Sequence, residues 1–179
     1  MREEIIFAGF GGQGIMVMGK VLSYAAMNYG KFVTWMPSYG AEVRGGTAHS
    51  MVVISDAPVP SPAVKEPSIC VAMNSPSLQK FEDRIKQGGM LIINTSLVES
   101  KARRKDLDIL EIPATDIASR LGNPRIGNMI ILGAILSKKD ILPIGYLIDA
   151  LKEVFTGRLG SMISINERAV KEGYEYCSR

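Results

Sequence analysis

The sequence IIFAGFGGQG, at residues 5–14, decides the fold because it joins an apolar run to a turn rich in glycine. Residues 5–8 are all apolar, which predicts a buried strand. A helix is predicted from about Gln13, because apolar residues then recur at the spacing of one helix face. Those residues are Ile15, Met18, Leu22, Ala25 and Tyr29. Strand, turn and helix in this order open a βαβ unit.

The rest of the chain repeats this alternation of apolar runs and helical patterns. Further strands are predicted at residues 32–36, 48–54, 68–73, 90–93 and 107–112. Helices are predicted from Ser75 to Gly88, from Asp116 to Gly122, from Asn128 to Lys138, from Pro143 to Phe155, and from a capping box at residues 164–167 toward Tyr176. We expect a single α/β domain, residues 1–179, with three α/β/α layers and a Rossmann-like, mostly parallel or mixed sheet. Its ligands should bind at the carboxyl ends of the strands.

Composition excludes several classes of function. The 21 Lys and Arg residues against 18 Asp and Glu leave a net charge of +3, which is too small and scattered to predict binding of nucleic acid or a membrane. Cys70 and Cys177 are too few for an iron–sulfur cluster, and with one histidine they do not indicate a zinc site. We expect no signal peptide, because the first residues carry charges of both signs, and the apolar runs are shorter than the roughly 20 residues that span a bilayer. We therefore expect a cytoplasmic protein with free thiols and no metal site.

The glycine-rich turn at residues 9–14 matches the pattern G-x-G-x-x-G between a strand and a helix. In that setting the glycines let the backbone approach an anion at the helix N-terminus. A nicotinamide site also needs an acidic residue after the second strand, to bind the ribose. Here that strand is followed by Pro37, Ser38 and Tyr39, and Glu42 comes later in the loop. A stand-alone dinucleotide-binding reductase is therefore one hypothesis, and a turn that only packs strand on helix is another.

Several residues near this turn are candidates for contact with a ligand. The backbone amides of Gly11, Gly12 and Gly14 could bind a phosphate or a cofactor edge, and Gln13 could add an amide hydrogen bond. Arg44 is the candidate for an anion, because its planar guanidinium suits phosphate and carboxylate, although it could instead pair with Glu42.

Other polar residues have structural interpretations of equal or greater weight. Ser38 and Tyr39 offer hydroxyls at a strand end, or pack in a turn. Asn74, Ser75 and residues 94–96 are interpreted as caps and turns. Asn128 either caps the helix that follows it or lines the same cleft. His49 is interpreted as structural, because the sequence shows no activated nucleophile for it to serve.

Four stretches together resemble one known family. They are GFGGQG at residues 9–14, PSYGAEVRGGTA at 37–48, AMNSPSL at 72–78 and LGNPRIGNM at 121–129. In this order they resemble the gamma subunit of 2-oxoacid:ferredoxin (acceptor) oxidoreductases, and the resemblance covers essentially the whole chain.

The resemblance implies one subunit of a multi-chain enzyme. Members of the family oxidise a 2-oxoacid with coenzyme A to an acyl-CoA and carbon dioxide, and they reduce ferredoxin. Thiamine diphosphate with magnesium and 4Fe–4S clusters would lie on alpha, beta and delta-type partner subunits, so this chain would have no catalytic residues when alone. It would help to form the coenzyme A cleft, and the candidate residues are Gly9, Gly11, Gly12, Gln13, Gly14, Ser38, Tyr39 and Arg44.

The substrate is assigned within the family by the same motifs. GFGGQG with PSYG looks more like the branch that converts 2-oxoglutarate to succinyl-CoA, while pyruvate and branched-chain or aryl 2-oxoacids remain alternatives. A third hypothesis is a binding or assembly module whose glycine loop only docks a partner.

Overall fold

The computed structural model describes residues 1–38 and 47–178. The strands in this part of the chain are β1 (Arg2–Gly9), β2 (Phe32–Ser38), β3 (Ala48–Ser55), β4 (Ile69–Ala72), β5 (Met90–Asn94) and β6 (Asp108–Ile112). The helices are α1 (Ile15–Asn28), α2 (Ser75–Phe81), α3 (Ala114–Arg120), α4 (Gly127–Lys138), α5 (Ile144–Val154) and α6 (Ile163–Ser178). Within the described residues, three short 3-10 turns cover Glu82–Arg84, Pro124–Ile126 and Gly157–Met162.

The six strands form one mixed sheet in the order β2-β3-β1-β4-β5-β6. Strands β1, β4, β5 and β6 are parallel neighbours, whereas β3 runs antiparallel to both β1 and β2. In register, Ile5 lies opposite Val52 of β3 and Ile69 of β4. The predicted α/β class with a mostly parallel or mixed sheet is therefore confirmed.

Alternation along the strands divides the core between the two faces of the sheet. Ile5 and Phe7 pack into the larger cluster, which α1, α3, α4, α5 and α6 cover. Ile6 and Ala8 pack into a smaller cluster with α2 and the loops beside it. All four side chains are fully buried. The predicted three layers are present, and the second helical layer is much the thinner one.

Helix α2 begins at Ser75 as predicted, but it ends earlier than the sequence pattern indicates. Asn74, rather than Ser75, caps the helix: its Oδ1 accepts a hydrogen bond of 2.9 Å from the Ser77 amide. The helix ends at Phe81 and continues as the 3-10 turn Glu82–Arg84, so the prediction of a helix reaching Gly88 was wrong. The buried Glu82 explains this ending, because its carboxylate accepts hydrogen bonds from the backbone amides of Arg103 and Arg104.

The last helix also begins differently from the prediction. A capping box would place Ser164 just before the helix, yet Ser164 is its second residue. The chain is already wound as a 3-10 turn over Gly157–Met162, so no open helix end remains to be capped. Asn166 instead donates from Nδ2 to the Met162 carbonyl oxygen at 2.8 Å. Helix α3 likewise begins two residues before the predicted Asp116.

Across residues 1–38 and 47–178, no helix combines the length and apolarity needed to cross a bilayer.

Candidate functional site

The topology of the sheet creates a crevice between β1 and β4. Helix α1 follows β1 and packs on one face, while α2 follows β4 and packs on the opposite face. The two parallel strands are neighbours, so their following loops diverge at the carboxyl edge. Such switch points are where open α/β sheets bind ligands. The glycine-rich turn after β1 lies at this crevice, at the carboxyl ends of the strands, where the sequence predicted that ligands bind.

The backbone of the turn uses conformations that glycine alone adopts readily. Gly12 has φ +91° and Gly14 has φ +72°, both in the left-handed region. Gly14 occupies the N-cap position of α1, where no side chain caps the helix and no acidic residue occupies the first turn. The amides of the first helical turn have no partner within the helix, so they are available to a ligand.

Gln13 ties the turn to the end of β4. Its Oε1 accepts a hydrogen bond of 2.6 Å from the Phe10 amide, and its Nε2 donates to the Met73 carbonyl oxygen at 3.0 Å. Asn74 Nδ2 also donates to Gln13 Oε1, at 3.3 Å. Both ends of this side-chain amide are thus engaged within the protein. Gln13 bridges the crevice, and its predicted contact with a cofactor stays a prediction.

Two glycines of the turn lie too close to neighbouring atoms for any side chain. A Cβ on Gly9 would lie 2.5 Å from Gln13 Oε1 and 2.8 Å from Ile15 Cδ1. A Cβ on Gly14 would overlap the side-chain amide of Asn128 on α4. Asn128 is 6% exposed and donates from Nδ2 to the Gly14 carbonyl oxygen at 3.4 Å. Gly9 and Gly14 therefore have packing roles whether or not they contact a ligand.

Three openings surround the turn. The first, about 330 Å³, is walled by Phe10, Gly11, Gly12, Met16 and Val17 and is mainly apolar. The second, about 180 Å³, lies over the ends of β4 and β5 between Gly12, Gln13, Leu97, Thr115 and Arg125. The third, about 480 Å³, lies beside α4 and α6 and includes Gly14, Asn128 and Arg125. Arg125 is not among the residues that the sequence motifs single out, although it follows Asn123 and Pro124, a pair typical of turns.

Ser38 lies at the same edge of the sheet as the turn. It pairs with His49 of β3, and the adjacent Ala48 pairs with Gly9. The predicted site residues Tyr39 and Arg44 lie outside the described residues, as does Glu42. Of the predicted set, Ser38 and the glycine turn therefore share one edge of the sheet, with β3 between them.

The order of the strands argues against a dinucleotide site. In the doubly wound fold the strand that follows the first crossover lies beside the first strand, and its acidic end binds the ribose. Here the antiparallel β3 separates β2 from β1. Any group at the end of β2 is thus one strand further from the glycine turn than that site requires.

The structural interpretations of the other polar residues fit their contacts. Asn94 is fully buried and donates from Nδ2 to Thr115 Oγ1 at 2.9 Å, and Ser96 Oγ accepts from the Asp116 amide at 3.0 Å. The ring of His49 lies 5.2 Å from that of Phe81. Of the two roles predicted for Asn128, lining the cleft fits the structure, because its side chain borders two openings. The predicted cap was wrong: α4 begins at Gly127, so Asn128 lies inside the helix, where its Oδ1 accepts a hydrogen bond from the Met129 amide.

The cysteines do not form a site for a cluster. Cys70 lies in β4, where burial raises the pKa of its thiol to about 12. Cys177 lies in α6, and partial burial raises its pKa as well. Within residues 1–38 and 47–178, no group of three His, Cys, Asp or Glu side chains could hold a metal ion. The donor set of the described residues therefore does not fit an iron–sulfur cluster, which needs about four thiolates.

Comparison with known proteins gives a consistent family. The model of the pyruvate ferredoxin/flavodoxin oxidoreductase family matches residues 4–176. The 2-oxoglutarate synthase subunit KorC of Methanocaldococcus jannaschii is 40% identical over 79% of this chain and 78% of its own length. The pyruvate/ketoisovalerate oxidoreductases common subunit gamma of Thermococcus litoralis is 33% identical over 96% of this chain and 95% of its own.

Another relative is considerably longer than this chain. The ketoisovalerate oxidoreductase subunit VorA of Methanothermobacter marburgensis is 35% identical over 98% of this chain, which spans only 37% of its length.

Solved structures share the fold. The gamma subunit of a keto/oxoacid ferredoxin oxidoreductase from Geobacter sulfurreducens matches with a TM-score of 0.84 and 26% identity, over 98% of both chains. The 2-oxoglutarate:ferredoxin oxidoreductase from Magnetococcus marinus, described with 2-oxoglutarate, coenzyme A and succinyl-CoA bound, matches with a TM-score of 0.86. This chain covers 31% of that one at 23% identity, so the likeness is one of fold.

Proposed function

This chain belongs to the pyruvate ferredoxin/flavodoxin oxidoreductase family, and we propose that it acts as the gamma-type subunit of a thiamine diphosphate-dependent 2-oxoacid:ferredoxin oxidoreductase. The observation that carries the proposal is its match over nearly the full length of proteins named as gamma subunits. In this proposal the chain is a single domain, works in the cytoplasm and is inactive alone. It assembles with alpha, beta and delta-type subunits, which carry thiamine diphosphate, magnesium and 4Fe–4S clusters.

The crevice at the glycine turn supports a role in holding coenzyme A. The bare backbone of Gly11 and Gly12 and the uncapped first turn of α1 fit an anionic or amide-bearing ligand, and the apolar opening beside them has room for a slender chain. When bound, coenzyme A supplies the thiol that accepts the acyl group. We propose that this site comprises Gly9, Gly11, Gly12, Gln13, Gly14 and Ser38, together with Tyr39 and Arg44 from the adjoining segment.

The residues of the proposed coenzyme A site have different roles. The glycines leave space and amides for the ligand, while Gln13 fixes the turn against the end of β4 through its bonds to Phe10 and Met73. Arg44 would bind an anionic group with its guanidinium. The redox chemistry belongs to cofactors on partner chains, because the described residues offer no donor set for a cluster.

For the substrate we propose 2-oxoglutarate, with succinyl-CoA as the product. The motifs at residues 9–14 and 37–40 support this choice, as does the 40% identity to a subunit named for 2-oxoglutarate synthase. Relatives named for ketoisovalerate and pyruvate are 35% and 33% identical.

Anaerobic capture of the tagged chain from its host tests the assembly. We expect a thiamine-binding chain and a cysteine-rich, ferredoxin-like chain to be recovered with it. The captured complex should reduce ferredoxin with 2-oxoglutarate and coenzyme A faster than with pyruvate or 2-oxoisovalerate. Efficient turnover by the isolated chain, or its recovery alone and stable at high yield, would refute the proposal. Preference for another 2-oxoacid would refute only the substrate assignment.

A further inference from the structure

The backbone around Arg125 is held firmly at the rim of the crevice. Asn123 Oδ1 accepts a hydrogen bond of 3.0 Å from the Arg125 amide and so caps the 3-10 turn Pro124–Ile126. The next residue, Ile126, is 2% exposed and anchors the turn in the core. A Cβ on Gly127 would lie 3.3 Å from the Ala114 carbonyl oxygen, so the chain also packs closely against α3. The base of the Arg125 side chain is therefore fixed, while the residue itself is exposed.

The charge of Arg125 is not neutralised by the residues around it. Arg125 borders both the 180 Å³ and the 480 Å³ openings, and it is the one charged residue among the described residues lining either. In the described ranges its guanidinium makes no hydrogen bond or ion pair. Two other arginines are neutralised within the chain: Arg103 pairs with Asp83 at 3.0 Å, and Arg104 pairs with Asp106 at 2.5 Å.

A further side-chain donor lies in the smaller of the two openings. Thr115 lines the smaller one, and its Oγ1 accepts a hydrogen bond from Asn94 Nδ2 at 2.9 Å. The hydroxyl proton of Thr115 is thereby left to donate, since a hydroxyl can accept and donate at once. Gly12 also lines this opening and belongs to the turn that precedes α1. An arginine and a hydroxyl donor thus border a small opening whose described lining contains no carboxylate.

We propose that Arg125 is an anion-binding residue of this crevice and binds a phosphate or carboxylate group of a ligand. A guanidinium presents two parallel N–H donors, which match the oxygens of either group. The phosphates of coenzyme A and a carboxylate of the 2-oxoacid share this chemistry. The choice of these two ligands rests on the proposed function. The anion site itself does not depend on that function.

The anion site is tested on the full chain alone with inorganic pyrophosphate as the probe. In a ¹⁵N-labelled sample, pyrophosphate should shift the amide resonances of Gly12, Thr115 and Arg125. R125Q should weaken this binding by about tenfold or more, because hydrogen bonds to charged groups are among the stronger ones. The control R168Q removes another exposed arginine, on α6, which lines neither opening, and it should bind as the unmodified chain does. Equal binding by R125Q, or no shifts in the unmodified chain, would overturn the proposal.

Steady-state kinetics of the assembled enzyme distinguish coenzyme A from the 2-oxoacid as the ligand that supplies the anion. R125Q should raise KM by about tenfold for coenzyme A if it binds a phosphate, or for 2-oxoglutarate if it binds a carboxylate, with a smaller change in kcat. R125K should fall between, since it keeps the charge without the planar fork. Unchanged KM values for both, in a complex that assembles and turns over, would refute the role of Arg125 and leave the proposed function intact. Failure of the unmodified chain to assemble would refute the proposed function, and the pyrophosphate titration would still decide the anion site.

Discussion

At the scale of single residues, Gly14 and Gly30 show two different reasons for which a position requires glycine. Gly14 combines a left-handed backbone with close contact to Asn128, whereas Gly30 at the end of α1 has φ +87° and open space around it. A left-handed conformation costs a residue with a Cβ about 1–2 kcal/mol. Substitution of Gly30 therefore tests backbone strain alone, whereas substitution of Gly14 tests backbone strain together with steric overlap.

We predict that Gly14→Ala lowers the free energy of unfolding by about 2–4 kcal/mol, as strain and overpacking add. Gly30→Ala is the matched control and should lower it by about 1–2 kcal/mol, from strain alone. Urea unfolding of both variants measures the difference. Adding Asn128→Ala to Gly14→Ala should recover part of the loss, because neighbouring substitutions couple. Equal losses for Gly14→Ala and Gly30→Ala would contradict the contact between α1 and α4.

A second prediction at this scale concerns acid pH. Hydrogen bonds from Lys31, at 2.5 Å, and from the Met1 amino group hold the pKa of the Asp56 carboxyl at about 2. Because this folded-state pKa lies below the unfolded value of about 3.9, the ion pair stabilises the fold fully above that value. The contribution is lost as the pH falls through about 2.

Carboxyl ¹³C NMR should show Asp56 titrating near 2, and Lys31→Gln should move its midpoint toward 3.9. Lys152→Gln, which removes an exposed partner of Asp149 instead, should leave the midpoint of Asp56 unchanged. A midpoint near 4 for Asp56 in the unmodified chain would show that the pair does not form in solution.

At the scale of elements, α4 and α6 approach each other through glycine. A Cβ on Gly133 would overlap the Val170 carbonyl oxygen, and one on Gly173 would overlap the carbonyl of Ile130. Helices that meet this closely place backbone against backbone, which cannot move aside as a flexible side chain can. This contact positions the start of α4, and with it Asn128, beside the glycine turn.

We predict that Gly133→Ala lowers the free energy of unfolding by about 2–3 kcal/mol, because overpacking forces the two helices apart. Gly145, in the first turn of α5, has nothing near its missing Cβ. Gly145→Ala should therefore keep or raise stability, since alanine favours a helix by up to about 1 kcal/mol over glycine. Chemical denaturation compares the two. Equal tolerance of both substitutions would argue against the close packing of α4 on α6.

At the scale of the whole molecule, the two thiols report on the integrity of the core. Cys70 is 1% exposed in a central strand, and Cys177 is 7% exposed near the end of α6. Burial raises both pKa values, so little thiolate exists at neutral pH.

We predict that Ellman's reagent modifies Cys70 in the folded chain only as fast as the molecule unfolds, because the thiol must first reach solvent. In Cys177→Ser, which isolates Cys70, modification at pH 8 should be slow in buffer and rapid in urea. In Cys70→Ser, Cys177 should react faster than Cys70 does, since helix ends fray. Rapid modification of Cys70 without denaturant would contradict a closed core around β4.

Much of this architecture was determined by the sequence itself. Local periodicity predicted all six strands and the main helices, since apolar spacing reports directly on burial. The glycine pattern predicted the turn, and the four ordered motifs predicted the family that the comparisons then matched. The end of α2 and the start of α6 were mispredicted, because each depends on what the neighbouring chain does: Glu82 accepts amides of a distant loop, and a 3-10 turn precedes Ile163.

Only the tertiary structure decided how these pieces form a site. The antiparallel insertion of β3 between β1 and β2 leaves no local signal, because strand partners are chosen by long-range packing. The engagement of Gln13 with Met73, the contact of Asn128 with Gly14 and the place of Arg125 at the crevice all join residues far apart in sequence. Periodicity carries information over a few turns of chain, whereas a binding site is a property of the contacts that folding brings together.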